Sequence, residues 1–143
     1  MAVQKKPEGY RTVTPYLIVD GADRLIEFMK KAFGATDRGR MGEDRVMHAE
    51  MQIGDSIVML SDTMPGAEPT KAMLHLYVDD VDAVYKKAVA AGGTPMREPA
   101  NQFYGDRSGG VSDAFGNQWW IATHVEDVSE EEMQKRMAAQ APA

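Results

Sequence analysis

The spacing of apolar and polar positions changes period in an orderly way along the chain. Residues 12–19, Thr-Val-Thr-Pro-Tyr-Leu-Ile-Val, are apolar and β-branched, which predicts a strand whose Pro15 marks an edge or a start. Residues 22–33 then place Leu25, Ile26, Met29, Ala32 and Phe33 on one face, with Glu27, Lys30 and Lys31 elsewhere. That spacing predicts a helix, ended by Gly34 where a left-handed residue is wanted. Strand-like stretches follow at 36–41, 45–53 and 56–61. The same succession then returns. A strand at 73–78 precedes a helix over 81–91, striped by Val81, Val84, Tyr85 and Ala88 and closed by Gly92-Gly93. Three more strands are expected near 94–98, 107–113 and 118–124. Gly54-Asp55 and Gly116-Asn117 read as tight hairpin turns between the last two strands of each half.

The recurrence is visible in the residues themselves. Tyr16-Leu17-Ile18-Val19-Asp20 lies over His75-Leu76-Tyr77-Val78-Asp79 at an offset of 59, which also puts Asp23 on Asp82 and Gly34 on Gly93. Asp44-Arg45 falls on Asp106-Arg107, and Gly54 on Gly116, at an offset of 62, so three extra residues are assigned to loops of the second half. The chain reads as a single α+β domain, 1–143, built of two tandem βαβββ units. Unit one covers about 10–62 and unit two about 72–125; a Pro/Gly linker at 62–71 joins them and a C-terminal helix follows at about 130–139. Its start carries a capping box, Ser129 with Glu132, and Met133 and Met137 form an apolar stripe that needs a partner, its own domain or a second subunit. The last few residues are expected to fray.

Composition narrows the function. With 16 Lys and Arg against 22 Asp and Glu, the formal net charge is −6, which opposes a phosphate-tracking surface and hence a nucleic-acid partner. There is no cysteine, which removes disulfides, thiolate nucleophiles and Cys-ligated metal, and suits a reducing cytoplasm. The N-terminal residues lack the apolar core of a signal peptide, and no run is long enough to cross a bilayer. The expectation is a cytoplasmic protein with no membrane partner. No nucleophile elbow, Walker loop or dinucleotide fingerprint is present, and Gly109-Gly110 lacks the lysine and helix of a phosphate loop.

Several fragments carry a family resemblance: Pro15-Tyr16-Leu17, Met59-Leu60-Ser61-Asp62, His75-Leu76-Tyr77-Val78-Asp79-Asp80-Val81-Asp82, Tyr104-Gly105-Asp106-Arg107 and Asp113-Ala114-Phe115-Gly116-Asn117-Gln118-Trp119-Trp120-Ile121-Ala122-Thr123-His124. With the doubled unit they resemble the vicinal-oxygen-chelate superfamily of glyoxalases, bleomycin-binding proteins and extradiol dioxygenases, in wording its PhnB-type branch, over about residues 10 to 125. The resemblance implies the glyoxalase/bleomycin-resistance fold, curled mixed sheets around a cavity with helices on the outer faces, and a homodimer. It also implies one His or Glu metal ligand on the first and last strand of each unit. Those positions fall here on Thr14, on Val58 or Met59, on Met73 and on Trp120. None is a hard-metal ligand, so no metal and no cofactor are expected.

Other residues offer chemistry. His48 and Glu50 lie two apart on one strand and share a face, and His75 lies two after Met73. Together they are candidates for a catalytic or metal-binding set, or for a hydrogen-bonded pair or a solvated face. Arg107 can clamp a carboxylate or phosphonate, or hold a turn through a salt bridge as Asp44-Arg45 would in unit one. Of the adjacent tryptophans, Trp119 is read as core and Trp120 as a pocket wall. The expected ligand-contacting set is Tyr16, Met59, Met73, His75, Tyr104, Arg107 and Trp120. Two functions follow. One is a metal-free small-molecule-binding protein similar to the bleomycin-binding relatives. The other is a lyase, isomerase or dioxygenase working through His75 with Glu50 or His48, with or without a divalent metal.

Overall fold

The structure, a computed structural model, describes residues 2–140; the terminal residues expected to fray include 141–143, which lie outside the described residues. Unit one consists of β1 (Tyr16–Val19), α1 (Ala22–Phe33), β2 (Thr36–Met41), β3 (His48–Ile53) and β4 (Ser56–Asp62). Unit two consists of β5 (Met73–Tyr77), α2 (Val81–Ala90), β6 (Thr94–Asn101), β7 (Asp106–Ser112) and β8 (Gln118–His124), and α3 (Glu130–Gln140) follows. Each unit forms a four-stranded mixed sheet, ordered β1-β4-β3-β2 and β5-β8-β7-β6, with the first strand parallel to the last. The two βαβββ units and the α+β class are as the sequence predicts.

Local chemistry explains the boundaries. Gly34 closes α1 at φ 67°, a left-handed value that costs glycine little, and its N–H returns to the Lys30 carbonyl. No α1 residue caps the other end. Instead Asp62, at the end of β4, accepts from the Gly21 and Ala22 N–H groups at 3.0 and 2.8 Å and from Val46 at 2.7 Å. Burial acts to raise the Asp62 pKa, but these three N–H groups and Arg45 outweigh it and hold the carboxyl below its ordinary value. Because Val46 is committed to Asp62, β3 begins at His48 and not at 45. β6 runs farther than expected, to Asn101, because an edge strand with bulges tolerates Pro95 and Pro99. β1 starts only after Pro15, whose carbonyl receives the Met59 N–H.

The strand registers correct the repeat. Leu17 pairs with Leu60 and Leu60 with Ala49; in unit two Leu76 pairs with Ile121 and Ile121 with Gly109. The offset is therefore 59 at the first strand, 60 at the third and 61 at the last. Asp106-Arg107 correspond to Val46-Met47, not to Asp44-Arg45, which lie in the β2–β3 loop, where the Arg45 guanidinium bonds the Thr63 carbonyl.

One core joins the units. Leu17, Val19, Met51 and Leu60 pack on Leu25, Ile26 and Met29 of α1, and Val111, Trp119 and Ile121 on Val81, Tyr85 and Ala88 of α2. The two helices pack on each other, and Phe28 and Phe33 of α1 reach the Trp119 ring, with centroids 6.3 and 5.0 Å away. The units thus meet through their helix layers. The sheets are not closed on each other: they form two separate ladders, with β1 and β2 as the edges of one and β5 and β6 as the edges of the other. The enclosed cavity expected between the sheets is accordingly not formed within the chain, because apolar burial is satisfied at the helix layer. The face of each sheet away from the helices is left open, with Tyr16 40%, Met73 68% and Tyr77 66% exposed.

α3 contributes no buried residue. Ser129 accepts from the Glu132 N–H, the expected cap, and Arg136 ties the helix to the Phe103 carbonyl and to Glu126. Met137 stays exposed.

Candidate functional site

The open faces carry most of the residues singled out from sequence, as two rows that cross the sheets. On sheet one, Tyr16 pairs with Met59, Met59 with Glu50 and Glu50 with Gly39. On sheet two, His75 pairs with Trp120, Trp120 with Gly110 and Gly110 with Arg97. Side chains on such a row share a face, because alternate residues of every strand point the same way. Val58 belongs to the buried helix-facing set, so of the two mapped positions on β4 only Met59 is on the open face. The centres of the two faces are therefore Tyr16 with Met59 and His75 with Trp120.

The Tyr16 hydroxyl lies 3.0 Å from Nδ1 of His48, and Nε2 of His48 lies 3.6 Å from Glu50. The imidazole thus stands between the phenol on one ring nitrogen and the carboxylate on the other. His75 does not join them; it sits on the other sheet, tilted against Tyr77 at 5.0 Å. Among the described residues no group of three or more His, Cys, Asp or Glu is placed to hold a metal ion. The family's metal does not fit the mapped positions either, since threonine, thioether and indole side chains stand where imidazoles and carboxylates would bind.

Arg107 is absent from the open face. It lies on the helix side, as its even, four-residue spacing from Val111 on one strand could have shown, and its guanidinium clamps Asp82 of α2 at 2.8 and 2.9 Å. That partner holds the Arg107 pKa up and the Asp82 pKa down. Tyr104 lies in the β6–β7 loop, edge-on to Phe103. Trp119 is buried in the core, whereas Trp120 lies half-buried on the open face.

Two groups escaped the sequence reading. Arg97 of β6 lies over the Trp120 ring at 4.9 Å and bonds Ser108 at 2.6 Å. At the end of the same face Asp106 accepts from the Tyr77 hydroxyl at 2.7 Å and meets Nδ1 of His124 at 2.8 Å, while Nε2 of His124 meets Asp127 at 2.8 Å. Asp127 first and Asp106 second raise the His124 pKa. Burial acts against Asp106, yet the bonds from His124 and Tyr77 keep its pKa below the ordinary value. A raised histidine stabilises fully below its unfolded value of 6.5 and loses that contribution as pH climbs through the folded pKa. Urea midpoints should therefore fall as pH rises from 6.5, and the same span should be flatter in His124→Asn. Parallel slopes in the two proteins would refute the assignment.

A groove of about 670 Å³ runs between the arm at 11–15, the β3–β4 turn and β5, lined by Phe33, Leu74, Leu76, Val84 and Trp119 among others. Of the predicted ligand-contacting residues only His75 lines it.

Residues 11–121 match the Glyoxalase/Bleomycin resistance protein/Dioxygenase superfamily. The chain belongs to that superfamily. An uncharacterized protein of Mycobacterium tuberculosis is 36% identical, the match covering 98% of this chain and 88% of that one; an uncharacterized protein of Mycobacterium bovis is also 36% identical, at 98% of each. Among solved structures, TioX from Micromonospora sp. ML1 superposes with a TM-score of 0.70 at 22% identity, over 80% of this chain and 99% of that one. A glyoxalase-related enzyme from Fulvimarina pelagi gives 0.66 at 21% identity, over 79% and 87%. At these identities the solved structures share the fold; chemistry has to come from the residues. No described helix is long and apolar enough to cross a membrane.

Proposed function

We propose that this superfamily member is a metal-independent small-molecule-binding protein, similar in role to the bleomycin-binding branch. The carrying observation is the pair of central contacts on the open faces, Tyr16 with Met59 and His75 with Trp120. Met59 and Trp120 present pliable thioether and flat aromatic surface at two of the positions to which the resemblance assigns metal ligands, with Tyr16 and His75 beside them. A second copy of the chain is the proposed cover for these faces, giving a homodimer of roughly twice 15.8 kDa by light scattering. Protein incubated with Zn²⁺, Mn²⁺, Ni²⁺ or Fe²⁺ and then desalted should retain no stoichiometric ion. Fused-ring aromatic ligands should bind it with micromolar affinity in calorimetry, and Trp120→Ala should weaken that binding about tenfold. One retained equivalent of metal, lost in His48→Ala, would overturn this reading.

The contact of Tyr16 with His48 and Glu50 favours one alternative, an enzyme. There the phenol would give or take a proton at substrate, with His48 as its relay and Glu50 orienting the imidazole. Turnover of any carbonyl substrate that is lost in both Tyr16→Phe and His48→Gln would favour it.

A further inference from the structure

Resting on the binding reading, the geometry points to Arg97 as the anion-recognising group of the site, and we propose that the ligand is a planar aromatic carboxylate. Arg97, Gly110, Trp120 and His75 stand in one row across the four strands of sheet two. Three inter-strand steps separate the ends, about 14 Å, enough for a fused ring with an acid group at one end. Gly110 makes the row possible. A Cβ there would fall 2.6 Å from the Trp120 ring, so only glycine lets the indole lie down across β7.

The flattened indole in turn supports the Arg97 guanidinium, stacked at 4.9 Å, and Ser108 fixes one end of it by a 2.6 Å bond. A guanidinium has five N–H donors, and Ser108 is the only side-chain or backbone acceptor that Arg97 reaches among the described residues. It has no carboxylate partner there, although the chain carries six more acidic than basic side chains. Asp106, an acid on the same face of the sheet, is occupied by Tyr77 and His124. An oriented, stacked guanidinium on the open face of the sheet, with no carboxylate partner within the chain among the described residues, presents its remaining donors as a fork that suits a carboxylate.

Calorimetry at low ionic strength with 2-naphthoate, 2-naphthamide and 2-naphthylmethylammonium tests this on the full chain. The acid should bind at least tenfold tighter than the amide, and the amine weakest. Arg97→Gln should abolish the difference between acid and amide without lowering the thermal midpoint, since the side chain is exposed; Arg97→Lys should restore part of it. Equal affinity for acid and amide in the unmodified protein, or a preference that survives Arg97→Gln, overturns the anion site and leaves the binding reading standing. If none of the three binds at millimolar concentration, both fall.

Discussion

Asp113→Ala should lower the unfolding free energy by about 3–5 kcal/mol, because it strands several N–H donors that cost about 1–3 kcal/mol each when buried without an acceptor. The Asp113 carboxylate accepts four bonds at once. Its Oδ1 takes the Phe115 and Asn117 N–H groups at 2.9 and 3.0 Å, and its Oδ2 takes the Asn117 amide at 3.0 Å and the Trp119 indole at 2.9 Å. Asn117, wholly buried, passes the link on by accepting from the Ala72 N–H just ahead of β5. One side chain therefore ties the β7–β8 turn to the first strand of its sheet. Urea denaturation followed by tryptophan emission measures the loss. Asp113→Asn keeps one carbonyl acceptor and should cost less than the alanine. A loss below about 1 kcal/mol for Asp113→Ala would mean that the turn holds itself without the carboxylate.

The second large effect belongs to Trp119→Ala, again about 3–5 kcal/mol, the range for emptying a large aromatic site in a core. Trp119 is 1% exposed and meets both Phe28 and Phe33 of α1, so its loss opens the contact between the two units as well as the core of unit two. Trp120→Ala is the comparison. Its ring lies on the open face, and its removal should cost well under half as much. A larger loss for Trp120→Ala than for Trp119→Ala would show that the two faces have been assigned the wrong way round. Because Trp119 donates to Asp113, the double variant should lose less than the two single losses combined.

The residues that were legible in advance share one property: their face follows from strict alternation or helical spacing. α1 is read correctly to the residue because five apolar positions at helical spacing end on a glycine. The separation of Trp119 from Trp120 follows from adjacency on a strand alone. Arg97 was not legible for a physical reason. It lies in Thr-Pro-Met-Arg-Glu-Pro-Ala-Asn, where bulges on both sides of it reset the alternation, so no period assigns its face. The pairing of Asp106 with His124 also spans two strands. It is set by the antiparallel register of β7 on β8, in which Asp106 faces His124, and no spacing within either strand reveals that register.

By itself the sequence determined the doubled βαβββ unit, the positions of both main helices and the tight turns. All of these are local or periodic, set by side chains within a few residues of one another. Tertiary structure alone decided which cation reaches the open face. Arg107 is held by Asp82 on the helix side, while Arg97 is laid over Trp120. It also decided that the units join through their helix layers and leave both sheet faces open. Both outcomes depend on competition among distant partners for the same apolar surface and the same charge, and that competition is resolved only when the whole chain has packed.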